Sequence, residues 1–235
     1  MTLLTKAKMF LADERGCMQN ECYRTYQTFN TANFFNQHKQ AFNGLHLLND
    51  NTLAAGHSIA TEADEGSITF LLPVVGSLCL KNALQNEQLL SPGQLHFFIN
   101  NSGFKVSNIH SGGLINYIQF SVKASSEVGG LESKHSSFDV AKNRDQLIEL
   151  TQSATAAPKI LIGKFAGRKE ADYELKSPES SLFVFVLEGA FEVQGRLLHA
   201  KDGLALWNGP QHFELEALSN EAIVLIIELN PKTNN

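Results

Sequence analysis

The sequence predicts an all-β protein built from two tandem β-barrels, and two observations support this fold class. The apolar residues fall in short runs rich in branched and aromatic side chains, and each run is bounded by Gly, Pro, Asn or Ser, as strands are. Clear runs occupy residues 68–72, 95–99, 182–187 and 223–227. In addition, the two halves of the chain repeat one order of strands and turns. The 235 residues suffice for two domains of about 100 residues each.

The repeat is marked by its turns. In the first half a strand runs into Gly76, and a second turn follows at Pro92-Gly93. In the second half Gly189 and Asp202-Gly203 take these places, at an offset of about 110 residues, an ordinary domain size. Glycine supplies the positive φ that such turns need. A duplicated domain explains the repeat, and chance similarity between two β-rich halves is the alternative.

The predicted organisation places an N-terminal barrel at residues 1–125, a linker at 126–157 and a C-terminal barrel at 158–235. The stretch 123–142 has few long apolar runs and is rich in Ser, Gly and charge, which is typical of a domain boundary. Residues 143–153 place three apolar side chains on part of a helical circumference. The sequence therefore predicts a short connecting helix there.

Composition excludes several classes of function. The formal charge of −5 and the lack of any run of basic residues argue against a nucleic-acid partner. No apolar stretch reaches the length of a membrane span, and residues 1–10 do not read as a signal peptide. Cys17, Cys22 and Cys79 are too few and too scattered for a disulfide framework, and a zinc site would need further ligands. We expect a cytoplasmic protein without a membrane partner.

Four segments carry a resemblance to a known family. Residues 12–16 (Ala-Asp-Glu-Arg-Gly), residues 28–35 (Thr-Phe-Asn-Thr-Ala-Asn-Phe-Phe), the Asn49-Asp50 pair with its following Gly56, and residues 202–207 (Asp-Gly-Leu-Ala-Leu-Trp) resemble motifs of the pirin family. The resemblance implies a bicupin, that is, two tandem cupin jelly-roll barrels. It also implies iron or another divalent metal in the N-terminal barrel, held by three histidines and a glutamate.

At the positions that match the family's ligands this sequence carries other residues. Alignment on the flanking turns places Glu62, Asp64, Val106 and Asn108 at these vestigial metal-site positions. Valine cannot ligate a metal, and a neutral amide oxygen is a weak donor, whereas the family's imidazoles suit iron, copper and nickel. Two carboxylates and one amide can hold a hard cation only with several added waters. The sequence therefore predicts no metal and no cofactor.

The acidic loop and the histidines of the N-terminal half are the other candidate sites in the sequence. Glu62, Asp64 and Glu65 form either a carboxylate pair for acid–base chemistry or a solvated turn, and the adjacent glycine favours the turn. For the histidines of the N-terminal half, a structural role is favoured over metal ligation, with the imidazole either hydrogen-bonded within the protein or exposing its polar end to solvent. They are His46, His57, His96 and His110.

Three functional hypotheses follow, and the sequence leaves open whether the protein is an enzyme. The first is a non-oxygenase bicupin that binds a small molecule in its N-terminal barrel, or a protein partner that the sequence does not identify. The second is a pirin-like quercetin 2,3-dioxygenase with a rearranged metal site. The third is a metal-independent lyase or isomerase that uses Glu62 or Asp64 as its base. Fold likeness alone does not choose among them, because cupins host many chemistries.

Overall fold

The computed structural model describes residues 5–124, 133–152 and 157–230, and in these residues nearly all regular structure is β-strand. The exception is a 3-10 turn at Ala12–Glu14. No helix among the described residues is long and apolar enough to cross a membrane. In chain order the first strands are β1 (Lys6–Phe10), β2 (Gly16–Gln19), β3 (Tyr23–Gln27), β4 (Leu45–Ala54), β5 (Ser58–Thr61), β6 (Ser67–Val75), β7 (Leu78–Asn82), β8 (Glu87–Leu90), β9 (Gln94–Ile99), β10 (Phe104–Ser107), β11 (Leu114–Lys123) and β12 (Lys134–Ser137). The later strands are β13 (Leu147–Glu149), β14 (Lys159–Phe165), β15 (Glu170–Glu174), β16 (Ser181–Glu188), β17 (Ala190–Val193), β18 (Arg196–His199), β19 (Gly203–Trp207), β20 (His212–Ala217) and β21 (Ala222–Leu229).

The chain forms two compact units. The unit of Gly16–Ser137, called here the N-terminal barrel, combines a seven-stranded sheet of order β12-β9-β6-β11-β4-β3-β2 with a four-stranded sheet of order β5-β10-β7-β8. All pairings are antiparallel, and the two sheets enclose an apolar cluster that includes Leu71, Leu80, Val106 and Tyr117. Strand β6 is buried along seven consecutive residues, which explains its unbroken apolar run.

The other unit, called here the C-terminal barrel, repeats this plan. Its larger sheet has the order β1-β19-β16-β21-β14-β13, and its smaller sheet has the order β15-β20-β17-β18. The strand order β9-β6-β11-β4 of the N-terminal barrel thus corresponds to β19-β16-β21-β14 here. Gly76 and Gly189 close equivalent turns with φ of 70° and 76°, a conformation that glycine adopts without a steric penalty. The predicted all-β fold with a duplicated barrel is confirmed.

The predicted connecting helix is wrong. Asp145 adopts a left-handed φ of 58°, so no right-handed helix can run through it. Its backbone N–H donates to Lys164 O at 2.9 Å, and its Oδ1 accepts from Ala166 N at 2.7 Å. The apolar residues that follow form β13, which pairs with the edge of β14. Pairing with that edge overrides the local helical pattern, while residue 153, the predicted end of the helix, lies outside the described residues.

The division of the chain also differs from the predicted 1–125, 126–157 and 158–235. Strand β1 pairs with β19 and belongs to the C-terminal barrel, although it lies at the start of the sequence. Strand β12 falls in the predicted linker, yet it pairs with β9 and belongs to the N-terminal barrel. Each barrel thus gains an edge strand from sequence that lies beyond its predicted bounds. The rest of the predicted linker is described only at residues 133–152 and 157.

Candidate functional site

The first two candidate residues, Glu62 and Asp64, lie in the loop that joins β5 to β6. Strand β5 ends at Thr61, so the regular strand alternation that would relate His57 to these two residues stops before them. The Glu62 side chain is exposed to solvent. Asp64 accepts from His46 Nε2 at 2.7 Å through Oδ2 and from Lys123 Nζ at 2.9 Å through Oδ1. Both carboxylate oxygens of Asp64 are therefore committed to neighbouring side chains.

These contacts set the protonation of Asp64. Its partial burial alone would raise the pKa of the carboxyl group, but hydrogen bonds from Lys123 and His46 outweigh burial and lower the pKa. The other ring nitrogen of His46, Nδ1, lies 2.9 Å from Gly44 O. The three side chains thus tie the β5–β6 loop to β4 and β11. An ionised, hydrogen-bonded carboxylate of this kind is a poor general base.

We expect Asp64→Asn to lower the free energy of unfolding by about 1 kcal/mol, because the pair is half-exposed and one charge-assisted bond to Lys123 is lost. Urea denaturation monitored by far-ultraviolet circular dichroism, which reports both barrels, measures this change. The matched control is Glu65→Gln, which alters a carboxylate of the same loop whose side chain is exposed. An Asp64 variant as stable as the control would contradict the structural role of this network.

The other two candidates, Val106 and Asn108, are buried. Val106 is fully buried in the apolar cluster of the N-terminal barrel, opposite Ile59 and Leu80 on the neighbouring strands. Asn108 is 1% exposed, and its Nδ2 donates to Leu53 O at 3.0 Å and Gly113 O at 3.1 Å. Its Oδ1 accepts from His110 N at 3.1 Å. Asn108 therefore holds the turn after β10, and both its amide nitrogen and its amide oxygen are hydrogen-bonded to the backbone.

The side chains at the four positions do not fit the divalent metal that the family resemblance implies. One is an exposed glutamate, one is an aspartate already hydrogen-bonded to Lys123 and His46, one is a buried valine and one is an amide bonded to the backbone. Among the described residues, no three His, Cys, Asp or Glu side chains come together in a way that could hold a metal ion. Iron and nickel prefer several imidazole or carboxylate donors around one point.

The remaining candidate residues lie apart from one another. His57 is exposed with Nδ1 2.9 Å from Ala55 O, and His110 places Nε2 3.0 Å from Ser77 O. Cys17, Cys22 and Cys79 are free thiols. These histidines contact backbone carbonyls, which matches the structural role expected for them.

A cavity of about 420 Å³ opens in the N-terminal barrel beside β7, β8, β9 and the turn before β10. Its volume lies in the range typical of small-molecule sites. Side chains that line it include Leu80, His96, Phe98, Asn100, Phe104 and Ser133. The ring of Phe98 meets Phe104 edge to face with centroids 5.2 Å apart, and His96 lies 5.5 Å from Phe98. The cavity is therefore part aromatic and part polar.

His96 is the titratable group that stands out in this cavity. It is 3% exposed, and its Nε2 lies 3.1 Å from Ser133 Oγ, whereas its Nδ1 is buried with no hydrogen-bond partner. Burial, together with the charge of His135 on the paired strand, lowers the pKa of His96 to about 4. At neutral pH the imidazole is uncharged, and its buried Nδ1 has no hydrogen-bond partner. The sequence alone predicts a structural role for this histidine and gives no sign of the cavity beside it.

One sequence signal points to His96 in retrospect. It interrupts the apolar run of β9, in which the flanking Leu95 and Phe97 are fully buried. A polar side chain inside such a run needs a partner, because leaving a buried polar atom unpaired costs about 1–3 kcal/mol. The sequence carries the signal, but the missing partner of Nδ1 appears only in the structure.

Comparison with known proteins finds that this chain is similar to pirin-like cupins. Residues 141–229 match the family model of the quercetinase C-terminal cupin domain. The chain is 19% identical over 227 residues to a quercetin 2,3-dioxygenase of Escherichia coli strain K12, covering 94% of this chain and 97% of that protein.

Solved structures show the same fold. The crystal structure of YhhW from Escherichia coli superposes with a TM-score of 0.85 at 17% identity, covering 98% of this chain and 100% of that one. The bacterial pirin YhhW in complex with nickel(II) gives a TM-score of 0.80 at 16% identity, covering 96% and 100%. A quercetin 2,3-dioxygenase from Acinetobacter baumannii gives 0.72 at 15% identity, covering 97% and 80%. Identities this low establish the shared fold only.

Proposed function

We propose that this chain, which shares the fold of a bacterial pirin and matches a quercetinase cupin model in its C-terminal part, is a metal-independent protein that binds a small molecule in its N-terminal barrel. The observation that carries the proposal is the cavity of about 420 Å³ that is lined in part by His96, whose Nδ1 is buried without a hydrogen-bond partner. A buried polar atom without a partner is costly, and a ligand that supplies the partner removes that cost.

The four positions matched to family ligands support binding without a metal. Two of the four side chains, Val106 and Asn108, are buried in structural roles, and a third, Asp64, is paired with Lys123 and His46. Proteins named quercetin 2,3-dioxygenase are similar to this chain, but oxygen chemistry at these four positions would need donors that the chain does not place there.

Binding is also favoured over proton transfer by the chain's own residues. A general base works best when its pKa lies near the operating pH, and His96, with a pKa of about 4, is too weak a base at neutral pH. Asp64 is held ionised by Lys123 and His46, and Glu62 is exposed outside the cavity lined by His96. These placements argue against a lyase or isomerase that depends on either carboxylate.

Metal content tests the metal-independent part of the proposal. We expect protein purified without a polyhistidine tag or chelator, then dialysed against nickel(II), iron(II) or manganese(II), to retain far less than one equivalent by inductively coupled plasma mass spectrometry. Escherichia coli YhhW, which has been solved with nickel(II), is the positive control and is carried through the same dialysis. Near-stoichiometric metal in this protein would contradict the proposal.

A further inference from the structure

Among the described residues that line the cavity, Glu87 is the one carboxylate, and its side chain lies on the outer face of the smaller sheet. Glu87 on β8 is paired with Lys81 on β7, and Lys81 Nζ lies 3.3 Å from the Glu87 carboxylate. The next pair along these strands is Leu80 and Gln88, and it faces the other way because side chains alternate between the two faces of a strand. Leu80 belongs to the apolar cluster inside the N-terminal barrel, so Gln88 faces inward with it.

The wall that β9 contributes to the cavity is aromatic and uncharged at neutral pH. His96 and Phe98 are two residues apart on β9, so they share one face of the strand, and both line the cavity. Their ring centroids are 5.5 Å apart, and Phe98 meets Phe104 edge to face with centroids 5.2 Å apart. Burial disfavours protonation of His96 and lowers its pKa to about 4.

The other polar side chains of the described lining are amides and hydroxyls. Asn100 Nδ2 donates to Glu62 O at 3.1 Å, and Asn100 Oδ1 accepts from Gly103 N at 3.1 Å. Ser133 Oγ lies 3.1 Å from His96 Nε2. Such groups present dipoles to a ligand, but they present no charge that could pair with an ionised one.

A lining of this kind favours an uncharged ligand. A charged group that leaves water needs an opposite charge or several strong hydrogen bonds, and without them its transfer is costly. An uncharged ring compound avoids that cost and gains apolar contact with Phe98 and Phe104. His96 shows the same preference, because its surroundings disfavour a charge on the imidazole.

Resting on the proposed function, we infer that the cavity binds uncharged organic molecules and discriminates against analogues of the same size that carry a carboxylate or an ammonium group. The observation that carries this inference is the division of charge between the two faces of the β7–β8 pair. Lys81 and Glu87 lie on the outer face, whereas Leu80 and Gln88 face the cavity.

The test uses probes that share a ring and differ in the charge of one substituent. Benzyl alcohol, benzoate and benzylamine, together with the corresponding cyclohexane derivatives, are titrated at neutral pH up to about 10 mM by ¹⁵N-resolved NMR. We expect a neutral probe to give saturable shifts at residues that line the cavity. Its carboxylate and ammonium analogues should bind at least about tenfold more weakly.

A lysine placed inside the cavity should change this preference. Gln88→Lys adds a cation on the inner face of β8, so it should tighten binding of the carboxylate probes about tenfold. The matched control is Leu89→Lys, which adds the same charge at the next residue, whose side chain is 55% exposed on the outer face. The control should leave the affinities of all probes unchanged. If Gln88→Lys does not fold, Ser102→Lys replaces it at an exposed position of the lining.

The outcomes separate the charge preference from the proposed function. A charged probe that binds at the cavity residues of the wild type as tightly as its neutral analogue would overturn the charge preference and leave the binding cavity in place. Equal tightening of carboxylate binding by Gln88→Lys and Leu89→Lys would also overturn it, because the face of β8 would then not matter. If no probe gives a saturable shift at cavity residues of the wild type or of Gln88→Lys, the inference and the proposed function both fail.

Discussion

Replacing Glu228 by alanine should lower the free energy of unfolding by about 3 kcal/mol. Glu228 lies on β21 of the C-terminal barrel and is 1% exposed. Its Oε2 accepts from the Tyr173 hydroxyl, and its Oε1 accepts from Lys176 N at 2.8 Å. Alanine removes both acceptors and leaves the buried Tyr173 hydroxyl without a partner. The side-chain bonds also fix the segment after β15, so that its backbone loses an anchor.

Urea unfolding of Glu228→Ala measures this loss, and two variants make the result specific. Tyr173→Phe removes one donor only and should cost about half as much. Glu192→Ala truncates an exposed glutamate of the same barrel and should change stability by less than about 0.5 kcal/mol. If all three variants unfold at the same urea concentration as the wild type, the buried hydrogen bonds of Glu228 do not stabilise the barrel.

The parts of the fold that the sequence predicts well are those with local signals. Strand β16 is buried along seven consecutive residues and reads as an unbroken apolar run. The turns at Gly76 and Gly189 require a positive φ, and the glycines themselves indicate such turns in the sequence. Because both signals recur at an offset of one domain, the duplicated barrel could be predicted without a structure.

The parts that the sequence misses depend on distant partners. Residues 147–149 favour a helix locally, but Asp145 turns left-handed and β13 pairs with the edge of β14. Strand β1 joins β19, almost two hundred residues away in sequence, and no local pattern encodes that pairing. Edge strands are short and half-exposed, so their own composition says little about which sheet they join.

For the candidate site too, the sequence predicts what depends on local residue identity and misses what depends on distant contacts. Alignment to the family's motifs led to Glu62, Asp64, Val106 and Asn108, because residue identity at aligned positions is local information. The structure adds what those side chains touch, namely Lys123 and His46 for Asp64 and the backbone for Asn108. The cavity beside His96 arises from strands that are far apart in sequence, so no motif marks it.

We expect His96 to lower the free energy of unfolding by up to about 3 kcal/mol as the pH falls from 6.5 to 4. The pKa of His96 is about 4 in the folded protein, against an ordinary value of 6.5 that applies to the unfolded chain. Above pH 6.5 both states hold a neutral imidazole, and this stability is fully present. Between the two pKa values the unfolded chain binds a proton that the folded barrel excludes, so stability falls with pH. Below pH 4 both states are protonated and the loss stops growing.

The free energy of unfolding is measured at pH 7 and at pH 4.5 for the wild type and for His96→Gln, and the loss between the two pH values is compared. Carboxylates such as Asp64 titrate in both proteins, so their contribution cancels in this comparison. Glutamine keeps a polar group but cannot be protonated, so the variant should lose less stability in acid than the wild type. The titratable neighbours, His135 across the strand pair and Glu87 at the cavity, are common to both proteins. His57→Gln, at an exposed site, should retain the wild-type pH dependence. Equal acid sensitivity of wild type and His96→Gln would mean that water or a side chain reaches the imidazole and accepts its proton, in which case Nδ1 is not the unsatisfied atom on which a ligand site depends.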